Sequence, residues 1–138
     1  MTNRNIHITE HDISRLREVL EDARRQGYEG SEYLDSLRAE LERATIVPPK
    51  EIPPDVITMN TRVRLIDLDT NDEEIYTLVF PDEADISQGK ISVLSPIGTA
   101  MLGYRLGDIF EWEVPAGKVH MKVAEILYQP EASGDYDL

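Results

Sequence analysis

Three histidines, His7, His11 and His120, and the acidic run DTNDEE at residues 69–74 are the parts of this chain best equipped for chemistry. Two histidines four apart can share a metal when they lie on one helix face. His7 and His11 instead straddle a helix start, and His120 falls opposite Val119 and Met121 on a strand. All three therefore read as surface histidines. Clustered carboxylates can act as general acid and base when they converge in a pocket. A polar run between two strand-like segments is instead a solvated hairpin turn. The chain has no G-x-S-x-G elbow and no phosphate-cradling G-x-x-x-x-G-K-[ST] loop. Phe80, Phe110 and Trp112 could line a pocket, but their positions within alternating apolar segments suit a core better. The inventory favours a binding module over an enzyme, with no catalytic residue, metal site or cofactor expected.

Composition narrows the partners. The 138 residues are 41% hydrophobic and 30% charged, the profile of one globular domain plus a short appendage. Cysteine is absent, which excludes disulfides, thiolate catalysis and the common structural zinc sites. No segment approaches the roughly 20 apolar residues that cross a bilayer, and MTNRNIHITEHD lacks the apolar run of a signal peptide, so a cytoplasmic protein with no membrane partner is expected. Asp and Glu number 27 against 14 Lys and Arg, a net charge of −13. Such a chain is repelled by phosphate backbones, so direct, sequence-specific nucleic-acid binding is not expected, and a basic protein surface is the better partner.

Elements follow from periodicity. Thr9 and Asp12 have the spacing of a capping box, followed by Ile13, Leu16, Leu20 and Ala23 in steps of three and four. After Gly27 and Gly30, Ser31 can cap a second helix whose seam is Leu34, Leu37, Leu41 and Ala44. Two matched seams across a short glycine-bearing loop predict an antiparallel, coiled-coil-like helical hairpin over 1–45, with arms of roughly 20 to 25 Å. Such a pair buries one narrow stripe and depends on what it docks against. Four of the eight prolines fall in IVPPKEIPPDV, which reads as a semi-rigid linker over 46–56.

From residue 57 the pattern is β. TRVRLIDL and IYTLVF form a hairpin around DTNDEE, with a bulge expected at Leu65 or Ile66 because the apolar positions change face there. KISVL, IFEWEV and the long KVHMKVAEILY complete an antiparallel sheet of about five strands, with a second register shift expected after Val123. Between the third and fourth strands lies SPIGTAMLG, a two-turn helix with Ser95 as N-cap, Pro96 at the first helical position and Gly103 as left-handed terminator. EASGDYDL reads as an exposed acidic tail. The fold class is α+β, a helical hairpin followed by a sheet domain over 57–138 with one short helix.

ISVLSPIGTAMLGYRLGDIFEWEVPAGKVHMKVAEILY, residues 91–128, resembles the C-terminal domain of the bacterial Gre transcript-cleavage factors. Ser95, Pro96, Ile97, Ala100, Gly103, Gly107, Asp108, Pro115 and Gly117 fall on that family's pattern. PPDVITMNTRVR and the ending YQPEASGDYDL resemble its short branch, the regulators of nucleoside diphosphate kinase. The resemblance implies an FKBP-like sheet domain that docks on bacterial RNA polymerase at the rim of the secondary channel. It implies a polymerase-facing surface at Ser95, Pro96 and Ile97, with Leu94 standing where the cleavage factors usually carry a polar residue. On the residues alone, Ser95 as a plain cap and Pro96 as a plain helix starter remain equally good. The family's hairpin is about twice as long and its tip carries two metal-holding acids. Here the tip is GYEGSEY, where Tyr28 and Ser31 replace those acids and Glu29 and Glu32 remain beside them. Transcript cleavage is therefore expected to be lost. The alternatives are an FKBP-like prolyl isomerase or chaperone, and residual cleavage through Glu29 and Glu32.

Overall fold

The computed structural model describes residues 5–28 and 32–135. A short strand β1 (His7–Ile8) leads into helix α1 (Glu10–Ala23), which continues as a π-helical segment, Arg24–Tyr28. Helix α2 (Glu32–Glu42) then runs into β2 (Thr45–Ile46). β1 and β2 pair in parallel, so the start of α1 and the end of α2 are clasped at one base. Thr9 caps α1 as expected, its hydroxyl accepting the backbone N–H of Asp12 at 3.2 Å. Both predicted seams point inward: Ile13, Leu16, Leu20, Ala23, Leu34, Leu37 and Leu41 are all buried.

The linker is structured. Pro49–Glu51 form a 3-10 turn, Ile52 and Val56 are buried, and Val56 bridges Arg105. The sheet that follows is built from β3 (Arg62–Asp67), β4 (Glu73–Val79), β5 (Lys90–Ser92), β6 (Ile109–Val114) and β7 (Gly117–Tyr128), in the order β5-β4-β3-β7-β6. It is mixed rather than wholly antiparallel, because β5 pairs in parallel with β4. The chain between them, Pro81 to Gly89, makes two 3-10 turns and doubles back beside β4, so that β5 starts opposite Thr77 and runs in the same direction. Helix α3 (Pro96–Met101) packs against β6 and α2.

The bulge expected in β3 lies elsewhere. β3 pairs with β4 without interruption, Val63 and Leu65 are buried, and Ile66 and Leu68 stay on the outer face, Leu68 at 41% exposure. The irregularities fall between β3 and β7, where Ala124 and Leu127 of β7 are left unopposed. An extra residue in one strand bends it and strengthens its twist, and β7, at 12 residues, is the strand long enough to need that bend.

The C-terminal segment is not a free tail. Gln129 and Pro130 are buried, Pro130–Ser133 forms helix α4, and the Tyr128 hydroxyl donates to Asp135. Gln129 Nε2 donates to the carbonyls of Pro53 at 2.8 Å and Val56 at 2.7 Å, and Thr58 donates to Glu131 at 2.7 Å. The end of the chain thereby fastens the proline-rich segment to the sheet.

One buried carboxyl sits at this junction. Asp12 is 3% exposed and shares a small cavity with Thr9, Met59, Pro130 and Glu131. Burial, reinforced by the nearby negative charge of Glu131 and opposed by Arg15, pushes its pKa up to about 7. An aspartate in the unfolded chain titrates near pH ~4. Between these values the folded protein holds a proton that the unfolded chain has lost, so this group's contribution to stability falls as the pH rises from ~4 to 7. Asp12→Asn removes that fall. Its unfolding free energy in urea should match the parent near pH 4.5 and exceed it increasingly up to about pH 7, by at most a few kcal/mol, since one pKa unit is worth about 1.4 kcal/mol. A constant difference between the two proteins across this range would show that Asp12 does not titrate there.

Candidate functional site

The corner between β5 and α3 is held by a closed set of hydrogen bonds. The Ser92 hydroxyl accepts the N–H of Leu94 at 3.0 Å, and the Ser92 carbonyl accepts both the N–H of Ser95 at 3.0 Å and its hydroxyl at 2.7 Å. Ser95 Oγ in turn accepts the N–H of Gly98 at 3.1 Å, capping α3. Thr99, buried in the first turns of this helix, donates its hydroxyl to the Val93 carbonyl at 2.6 Å. Helix α3 is only six residues long and would not hold its shape alone. Its direction is set by these ties to the preceding strand.

Gly98 explains why the corner can be so tight. A Cβ built at this position would stand 2.0 Å from the Ser92 carbonyl oxygen, closer than any real contact. The residue has ordinary helical geometry, so close approach of the backbone, rather than a left-handed conformation, requires glycine here. Gly103 ends the helix with φ +87°, as its position after the apolar run suggested, and a Cβ there would press on Ile6 at 2.7 Å.

The corner presents its four expected site residues unequally. Pro96 is exposed, at the first helical position where its missing N–H costs nothing. Leu94 and Ile97 are half-buried and pack against the core, each leaving part of its side chain at the surface. Ser95 is half-buried, and its hydroxyl is engaged both as donor and as acceptor within the corner. Ser95 thus positions the surface that Pro96 and its two apolar neighbours form. Of the hairpin-tip residues, Tyr28 ends the π-helical segment and Glu32 opens α2, whereas Glu29 and Ser31 lie outside the described residues.

The other candidates separate. Phe110 is buried and stacks with Tyr104 and Trp112, at centroid distances of 5.2 and 6.0 Å. Phe80 is buried under the Arg15 guanidinium of α1, 3.8 Å from the ring centroid, an attraction between cation and ring face that sequence periodicity does not reveal. His120 points outward between Glu111, at 3.1 Å from Nε2, and Asp69, at 3.4 Å from Nδ1, and so ties the DTNDEE turn to β6. His11 is exposed and His7 half-buried; they do not converge with His120. Among the described residues no three His, Asp or Glu side chains are placed to hold a metal ion, and no helix is long and apolar enough to cross a membrane.

Both parts of this architecture, the helical hairpin and the sheet domain, fall within matches to known families. Residues 52–128 match the family "Transcription elongation factor, GreA/GreB, C-term", and residues 4–47 match "Rnk N-terminus". The chain belongs to the GreA/GreB family, in the branch of the regulators of nucleoside diphosphate kinase. It is 42% identical to the regulator of nucleoside diphosphate kinase of Escherichia coli K12, over 99% of this chain and 98% of that one. Against the transcription elongation factor GreA of Chlorobium phaeobacteroides BS1 the identity is 43%, covering 76% of this chain and 67% of the relative. The solved structure of a GreA/GreB elongation factor from Nitrosomonas europaea superposes with a TM-score of 0.76 at 41% identity, over 90% of this chain and all of that one. The protein is thus a regulator of the transcription-factor type.

Gly98→Ala tests the corner directly. The added methyl must push α3 away from Ser92, which should cost about 1–3 kcal/mol in urea-induced unfolding. Ser95→Ala removes only a cap and its reciprocal bond, and should cost about 1 kcal/mol. A Gly98→Ala protein as stable as its parent would refute the close approach.

Proposed function

We propose that this member of the GreA/GreB family binds bacterial RNA polymerase at the rim of the secondary channel, competes there with Gre-type cleavage factors, and does not itself stimulate transcript cleavage. The observation that carries the reading is the braced Ser-Pro corner in a chain with this family membership. Pro96 is exposed between two partly exposed apolar side chains, on a backbone fixed by Ser92, Ser95 and Gly98. A rigid, mostly apolar patch loses little conformational freedom on docking, which favours affinity. The net charge of −13 suits a basic docking surface and makes association salt-sensitive.

The absence of cleavage rests on the hairpin. Delivery of a metal ion into a remote active site requires acids at the tip and arms long enough to bring them there. Tyr28 and Ser31 occupy the positions of the family's two acids, and α2 has 11 residues, a length of about 17 Å. The division of labour in this reading is a docking domain over 57–138, a linker over 46–56 and a shortened hairpin over 1–45, which occupies the channel entrance without reaching its end.

The deciding experiment is capture of RNA polymerase on the immobilised protein at low ionic strength. Polymerase should bind, be released by added GreA, and be released by salt. Pro96→Asp, at an exposed position, should weaken capture about tenfold or more, equivalent to about 1.4 kcal/mol. No capture by the parent protein at low salt would reject the proposal. Added to a backtracked elongation complex, the protein should leave the RNA length unchanged; shortened RNA, lost in Glu29→Gln with Glu32→Gln, would reject the second half of it.

A further inference from the structure

On the outer face of the sheet, away from the core, the register sets three side chains in a row across three strands. Arg62 of β3 is paired with Thr77 of β4, and Thr77 with Lys90 of β5. Their neighbours in sequence, Val63, Leu78 and Ile91, are buried, so alternation directs the row itself to solvent. With strands ~4.8 Å apart, the backbones of Arg62 and Lys90 are separated by ~10 Å, a gap that both long side chains can close from either side of the Thr77 hydroxyl. Ile75, 46% exposed, lies two residues before Thr77 on the same face. Together with Gln88 and Gly89 these residues line an open cleft of about 500 Å³.

The charge around the cleft is unusual for this chain. In a protein of net charge −13, no acidic residue lines it. The other cations of the sheet region are largely engaged: Arg64 with Glu73 and Glu125, Arg105 with Asp55, and Lys118 with Glu111. Among the described residues Arg62 and Lys90 have no ion-pair partner, and the Thr77 hydroxyl has no hydrogen-bond partner. Two like charges ~10 Å apart, on either side of β4, repel each other weakly, and an anion seated between them is attracted by both.

We propose that the Arg62–Thr77–Lys90 row is a binding site for a small phosphate-bearing anion, seated between the two cations with its organic part over Ile75. A planar guanidinium fork, an ammonium and a hydroxyl offer more donors than one carboxylate can use, whereas a phosphate or diphosphate has acceptor oxygens for all of them. The volume lies within the range of small-ligand sites and exceeds that of a bare phosphate, leaving room for an attached group. The openness of the cleft keeps the ligand partly in water, so binding is modest and reversible. The site is on the sheet face opposite the core-packed helix α3, and the inference does not depend on polymerase docking.

The test is a titration of the ¹⁵N-labelled full chain with inorganic pyrophosphate, followed by amide chemical shifts, at constant ionic strength maintained with chloride. Saturable shifts should be confined to Arg62, Thr77, Gln88, Gly89 and Lys90. Glutamate and an acidic peptide, run in parallel, should shift the same amides at least tenfold more weakly. Arg62→Ala with Lys90→Ala should weaken pyrophosphate binding at least tenfold while leaving the rest of the spectrum in place, and Lys122→Ala, outside the cleft, should not change it. If the cleft amides show no saturable shift, if the acidic peptide binds as well as pyrophosphate, or if the double variant binds like its parent, the proposal is overturned. A phosphorylated peptide that binds tenfold more tightly than pyrophosphate would also overturn it, by assigning the phosphate to a macromolecule.

Discussion

Neither α1 nor α2 can bury its apolar stripe against the other alone, and this constraint organises the molecule. Each helix offers three or four apolar residues along a narrow seam, too little for an isolated helical pair in water. The seam residues instead join one continuous apolar cluster with Ile57, Met59, Leu78, Phe80, Phe110 and Met121. Fully burying each such side chain contributes about 1.5–3 kcal/mol, so the position of the hairpin is dictated by the sheet region. The parallel pair of β1 with β2, the Arg15–Phe80 contact and the fit of Gly103 against Ile6 then fix its angle.

The same logic applies on a smaller scale to the Ser-Pro corner. A six-residue helix is useful as a recognition surface only if something else defines its backbone. Here Ser92, Ser95, Gly98 and Thr99 do so through short contacts to a single strand end. The polar atoms are spent internally, and what faces outward is mostly apolar. In this arrangement Ser95 and Gly98 determine the shape of the surface, while Pro96 and the exposed parts of Leu94 and Ile97 are what a partner would meet.

Electrostatics divides the molecule further. The acidic excess is general, yet the sheet places Arg62 and Lys90 in one cross-strand row without counter-ions among the described residues, and buries Asp12 beside Glu131 where the linker, α1 and the C-terminal segment meet. Both are costs that the fold tolerates through its apolar core. Gln129, which bonds two linker carbonyls and has a buried Oε1 without a partner among the described residues, is a third local cost at the same junction.

Much of this was legible in the residues. The Thr9 cap, both helical seams, the left-handed glycine at 103, the strand alternation and the Ser-Pro helix start are local features, set by propensity and by the periods 3.6 and 2.0. The helix and strand order follows from these, whereas the family resemblance rests on spaced identities such as Ser95, Pro96, Ile97, Gly107 and Asp108. Pairing partners are set at a distance, and periodicity is blind to them. It did place a register shift after Val123, where Ala124 is unopposed, but it could not show that β3 itself carries no bulge at Leu65 or Ile66, that β5 runs parallel to β4, or that the supposed acidic tail folds back through Gln129 and Glu131. Gly98 is a weak helix former within α3, and only the tertiary structure shows the close approach to the Ser92 carbonyl that requires it. The Arg62–Thr77–Lys90 row carried no signal in the sequence, because only strand register brings together residues 13 to 28 positions apart in the chain.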